Sequence, residues 1–91
     1  MKQSEYNAGT YLYKLGKKGN LSANKKVFIH DGILSGDGYG VVLGFTSDNE
    51  LCTSSGYGNY CYGNDVRLAT GAEIEEFIRQ VQIYDKPIKK Y

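Results

Sequence analysis

Tyr39-Gly40-Val41-Val42-Leu43-Gly44-Phe45-Thr46 is the longest apolar run of the chain, and its reading decides the fold. Turn-forming residues bound it on both sides, Gly36-Asp37-Gly38 before and Ser47-Asp48-Asn49 after. A short run rich in β-branched and aromatic side chains between such boundaries predicts a central strand rather than a helix. Gly40 and Gly44 inside it predict a bend, a bulge or close packing by a neighbouring strand.

Working outward, Glu50-Leu51-Cys52-Thr53-Ser54 reads as the returning antiparallel strand. Gly56 to Asn59 turns the chain again, and Tyr60-Cys61-Tyr62 begins a further strand. On the N-terminal side, Lys26 to Asp31 is a strand candidate, with a turn over Gly32–Gly38 in which Asp37-Gly38 is a hairpin signature. Thr10 to Lys14 is a short strand, Leu15 to Asn24 a loop, and residues 1–9 a polar lead-in. Closely spaced short strands favour a small barrel or a curled sheet.

The last third changes period. Thr70-Gly71-Ala72-Glu73 fits a capping box, in which the Thr hydroxyl and the Glu carboxylate each satisfy an orphan amide. Ile74, Phe77, Ile78 and Val81 follow at the spacing of one helical stripe. The pattern predicts a helix over about 71–83, ended before Pro87, with residues 86–91 a frayed tail or an edge extension. The expected fold is therefore α+β: one domain over 1–91, a small antiparallel β-barrel or curled sheet of SH3-like size over 10–66, and one C-terminal amphipathic helix packed on it.

Composition narrows the function classes. Of 91 residues, 41% are hydrophobic and 23% charged, as in a folded domain, and the net charge is +1. No apolar segment approaches the length of a membrane helix, and no apolar leader follows Met1, so a cytoplasmic setting is expected. Six lysines against Glu5 leave residues 1–30 at +5, while five basic and nine acidic side chains leave residues 31–91 at −4. The lysine-bearing N-terminal third is either a solvated surface or a weak phosphate-contacting patch.

Catalytic and metal devices find little support. His30 is the single histidine, and on a strand His30 and Asp31 would face opposite sides, leaving His30 exposed or partly buried. Two isolated cysteines and one distant histidine do not make a zinc site. Around a Gly56-Tyr57 turn, Cys52 and Cys61 would sit opposite each other as reduced thiols. Gly36-Asp37-Gly38-Tyr39-Gly40 lacks the spacing and the following helix of a nucleotide loop. No catalytic residue, metal or cofactor is expected.

Tyrosine supplies the candidate site. There are nine Tyr and no Trp. Tyr60 and Tyr62 share a strand face, and Tyr39 and Tyr57 extend the patch, with Asn59 beside them. These rings either cover the barrel end or form an aromatic platform for a partner. Residues 36–66 contain no basic side chain, which makes nucleic acid the less favoured partner and an adaptable protein-binding face the better one.

Val66-Arg67-Leu68-Ala69-Thr70-Gly71-Ala72-Glu73-Ile74 resembles a phrase in small bacteriophage and mobile-element proteins. In them a short barrel-like region precedes an Arg-hydrophobic-Ala-Thr-x-x-Glu helix start. Gly71 departs from the Pro natural at a first helical turn. The resemblance implies no catalytic residues. It implies a bacterial host, a host protein as partner, and an accessory or inhibitory role, with self-association as an added expectation. Arg67 is expected to join strand to helix by pairing with Asp65 or a helical glutamate.

Overall fold

The computed structural model describes residues 2–15, 22–35, 38–46, 49–53 and 65–90. The elements are β1 (Lys2–Gln3), β2 (Tyr11–Lys14), a 3-10 turn (Ala23–Lys25), β3 (Val27–Ser35), β4 (Gly38–Phe45), β5 (Leu51–Thr53), β6 (Val66–Leu68), α1 (Gly71–Ile83) and β7 (Lys89–Lys90). The turn over 56–59, the strand over 60–62 and Cys61 fall outside the described residues.

The strands form one seven-stranded sheet in the order β6-β2-β3-β4-β5-β7, with β1 paired to β3 off that path. β6 and β7 lie at opposite edges and do not pair, so among the described residues the sheet is open. This corrects the barrel expectation. β6 returns across the sheet to pair with β2, Leu12 opposite Leu68. The C-terminal segment supplies an edge strand, β7, which pairs with β5 in parallel, Cys52 opposite Lys89.

Alternating side chains give the sheet two buried faces. Leu12, Phe28, Tyr39, Val41 and Cys52 pack on one face, with Tyr6, Leu34 and Val66 at its margin. Val27, Phe45, Leu51 and Phe77 pack on the other, bordered by Tyr11, Tyr13, Ile29, Leu43 and Tyr84. Period two explains why Leu12 takes one face and its neighbours Tyr11 and Tyr13 the other.

β4 changes face midway, and the pairing shows how. Ile29 opposes Leu43 while His30 opposes Val41, so Val42 is an extra residue on β4. That bulge sends Tyr39 and Val41 to one face and Leu43 and Phe45 to the other. The compensating irregularity is on β3: between His30↔Val41 and Leu34↔Tyr39, β3 advances by two residues more than β4. Asp31, Gly32 and Ile33 therefore bow away from the ladder, and Gly32 takes the left-handed φ of +86° that the bow requires. A turn was expected at Gly32; it is instead a kink within a continuing strand. Gly44 meets the predicted close approach, since a Cβ there would lie 2.8 Å from Cβ of Phe28 across the ladder.

α1 starts with the predicted capping box: the Glu73 amide donates to Thr70 Oγ1 at 3.2 Å and the Thr70 amide to Glu73 Oε1 at 2.8 Å. Arg67 on β6 grips both oxygens of the same carboxylate at 2.8 and 2.7 Å, as expected of a strand-to-helix tie. The helix is rotated relative to the predicted stripe. Phe77 and Gln80 are buried, whereas Ile78 is 40% exposed. Phe77 enters the aromatic set of Tyr11 and Phe45, and Glu76 faces the 3-10 turn, where its carboxylate accepts from Asn24 at 3.5 Å and from Gln80 at 2.7 Å.

Two outcomes follow for the helix start. Thr70→Ala removes the cap and is expected to cost about 1 kcal/mol in denaturant unfolding. The Arg67 guanidinium, the Thr70 amide and the remaining hydrogen bonds hold the Glu73 carboxyl down to about 2. A carboxyl with a depressed folded value stabilises the fold above its unfolded value, and that stability is lost as pH falls towards the folded one. The melting temperature should therefore drop between the ordinary carboxylate range and about pH 2, more steeply in the wild type than in Glu73→Gln. Parallel acid profiles would contradict the tie.

Candidate functional site

The N-terminal lead-in is part of the fold. Backbone hydrogen bonds fasten it to β3: Ser4 N to Gly32 O at 2.8 Å, Gly9 N to His30 O at 2.7 Å, and His30 N to Thr10 O at 2.8 Å. The arm and the bowed segment of β3 enclose a surface cleft of about 450 Å³. Lys2, Gln3, Tyr6, Asn7 and Ala8 line one side, and Asp31, Gly32 and Ile33 the other.

Beneath the arm lies His30, fully buried. Its Nδ1 is 2.7 Å from Gly40 O. A carbonyl only accepts, so Nδ1 carries the proton. Its Nε2 is 2.7 Å from Ser4 Oγ. Ser4 Oγ also lies 2.8 Å from Tyr6 O and accepts from Tyr6 N at 3.0 Å, so its single proton serves either the neutral ring's Nε2 or the Tyr6 carbonyl. The ring makes edge contacts with Tyr6, Phe28 and Tyr39 at 5.5–6.5 Å between centroids. His30 is thus a core residue rather than the exposed or partly buried one expected. Its contact with Ser4 has the separation of a nucleophile and base. The ring is sealed from solvent, however, and the hydroxyl is already engaged with the arm's own backbone, so the pair fastens the arm.

Asp31 sits where the β3 bow brings it back towards its neighbour. Its Oδ1 accepts from Ile33 N at 2.9 Å and lies 3.8 Å from His30 Nδ1. The two side chains, expected to point apart, approach because the ladder is irregular there. The carboxylate lies against Gly40, where any Cβ would collide with it. Gly40→Ala is expected to cost about 1–3 kcal/mol by overpacking. In an Asp31→Ala background the same change should cost far less, and a double-mutant cycle of thermal melts reads the difference. Additive losses would show that the carboxylate does not occupy that space.

Tyr39, expected in an outward patch, is 6% exposed and belongs to the core face. Its hydroxyl donates to Glu5 Oε2 at 2.9 Å, and its ring meets Tyr6 at 5.8 Å. Glu5 is held below the usual carboxylate range by a backbone hydrogen bond first and the Tyr39 hydroxyl second. The β4 bulge turns Tyr39 onto the face shared with Phe28 and Val41, and the packing there against Tyr6 and His30 is the physical reason for the burial. Tyr57, Asn59, Tyr60 and Tyr62 lie outside the described residues.

Sequence reasoning missed Ser4, Tyr6 and Asp31. Ser4 and His30 are 26 residues apart and nothing local links them. The available sign was Asp31-Gly32 inside a β-branched run, a combination that accompanies bulges as well as turns.

Among the described residues, no three His, Cys, Asp or Glu side chains converge as a metal site, and no helix is long and apolar enough to cross a membrane. Comparison with known protein families, curated proteins and solved structures gives no match.

Proposed function

We propose that the chain is a non-enzymatic binding protein of phage-accessory type, working in a bacterial cytoplasm and engaging a host protein. The observation that carries the reading is the cleft between the N-terminal arm and the β3 bow. Its walls are set by buried hydrogen bonds, and it places a carboxylate among apolar surfaces of Tyr6, Ala8 and Ile33. A few fixed polar groups in a largely apolar concavity are what recognition sites present. Tyr57, Asn59, Tyr60 and Tyr62 remain candidates on their composition, as aromatic anchors with adaptable polar neighbours. Leu68, Ile78 and Ile83 are exposed and suit self-association.

The nucleic-acid alternative draws on the basic N-terminal third. Two of its lysines are directed inward: Lys14 Nζ donates to Phe45 O at 3.0 Å, and Lys25 lies 5.4 Å from the Phe45 ring centroid. That leaves fewer cations for phosphate.

Affinity capture from bacterial lysate tests the reading. A specific partner should be retained by the wild type and lost by the Tyr60→Ala, Tyr62→Ala double variant with its circular dichroism intact. If both changes unfold the chain, those rings belong to the core and the tyrosine face fails. Tight binding of random oligonucleotides that weakens steeply with salt would favour the alternative.

A further inference from the structure

We propose that the cleft seats a lysine or arginine side chain of the protein partner, its cationic head on Asp31 and its aliphatic stem along Tyr6 and Ile33. The inference rests on the binding-protein reading and adds the chemistry of what is bound. Asp31 is the carboxylate of the cleft wall. Its side chain is 14% exposed, so most of its hydration is gone. Among the described residues one backbone amide compensates it, from Ile33. The nearest ring N–H, on His30 at 3.8 Å, is committed to the Gly40 carbonyl at 2.7 Å. Among the described residues no lysine or arginine pairs with it, and Lys2, which lines the same cleft, makes no ion pair there.

A carboxylate that has lost water without gaining a cation is costly, and an arriving cation recovers that cost. The position is built rather than incidental. Asp31 lines the cleft from the β3 bow, and Gly40 leaves the space its carboxylate fills. Tyr6 borders the site and offers an aromatic surface suited to a lysine or arginine stem and head.

The test is a titration of the full chain, uniformly labelled with ¹⁵N, followed by amide shifts. The probes are butylguanidinium and butylammonium, with butyrate as the anionic control. The expected result is saturable shifts at Ala8, Asp31, Gly32 and Ile33 with both cations. They should weaken at least about fivefold in Asp31→Asn and fade with added salt, as a charge contact does. Asn keeps an acceptor for the Ile33 amide, so the variant should fold, and its spectrum reports that directly. Three results would overturn the proposal: no saturable shift with either cation, equal shifts in Asp31→Asn, or preferential binding of butyrate. If lysate capture persists undiminished in Asp31→Asn, the basic side-chain seat is wrong while the binding-protein reading stands. If capture fails for the wild type itself, it is that reading that falls.

Discussion

Phe77→Ala is expected to remove about 3–5 kcal/mol of stability. The ring is 1% exposed and sits at the contact between helix and sheet, edge-on to Tyr11 at 6.1 Å and to Phe45 at 6.0 Å. Phe45 in turn meets Tyr84 just past the helix end at 5.9 Å. Truncation loses the transfer free energy of the ring, leaves a cavity the rigid sheet cannot collapse, and removes two aromatic contacts each worth about 1 kcal/mol beyond burial. Domains of this size are stable by about 5–15 kcal/mol, so the loss is a large fraction of the total. The melting temperature should fall on the order of 15–30 °C. Ile78→Ala, on the same helix but 40% exposed, should change it little. The contrast is the informative part: equal losses at Phe77 and Ile78 would restore the apolar stripe expected from sequence and reject the rotated helix.

His30→Ala is expected to be comparably severe, about 3–5 kcal/mol. The substitution empties a fully buried site on the face opposite the helix. It also leaves the Gly40 carbonyl without its side-chain donor and removes the ring from the Ser4 hydroxyl. An unmade buried hydrogen bond carries the desolvation penalty of the group left behind, about 1–3 kcal/mol. The effect should be local in one respect. Amides of Ser4 and Gly9, which bond to Gly32 and His30 carbonyls, should lose hydrogen-exchange protection before those of β4 and β5. His30→Gln, able to reach one of the two partners, should recover part of the loss. Uniform loss of protection with no distinction for the arm would contradict the fastening role.

How much of this was legible follows from the range of the interactions. The helix over 71–83 was readable because a capping box and its stripe are local. β2, β4 and β5 were readable from β-branched and aromatic runs bounded by turn residues. The helix's rotation was not, because Gln80 and Glu76 are polar by type and turn inward only through their bonds to each other and to Asn24. β6 was hidden by distance, since a three-residue strand gives no periodic signature and its partner, β2, lies more than fifty residues earlier. The arm was read as a polar lead-in because Lys2 to Glu5 is polar; its attachment depends on Ser4 meeting His30, which no local pattern encodes. Tyr39 was misplaced for a subtler reason. The sequence placed it with Tyr57, Tyr60 and Tyr62 on composition, whereas its burial depends on Tyr6, His30 and Glu5, which meet it only in the fold. The departures at Tyr39, His30 and the arm gather at the β3 and β4 irregularities, and the cleft forms beside the β3 bow. That coincidence fits the tendency of bulges to sit beside functional sites.

The claim on which the account turns is that a buried imidazole, donating through Nδ1 to Gly40, fastens the N-terminal arm and so creates the cleft. Long-range ¹H–¹⁵N correlation of the His30 ring, combined with nuclear Overhauser contacts, reads it directly. The account predicts a proton on Nδ1 and contacts from the ring to Ser4 and Tyr6. A ring with a bare Nδ1, or one with no contact to residues 4–6, would contradict it.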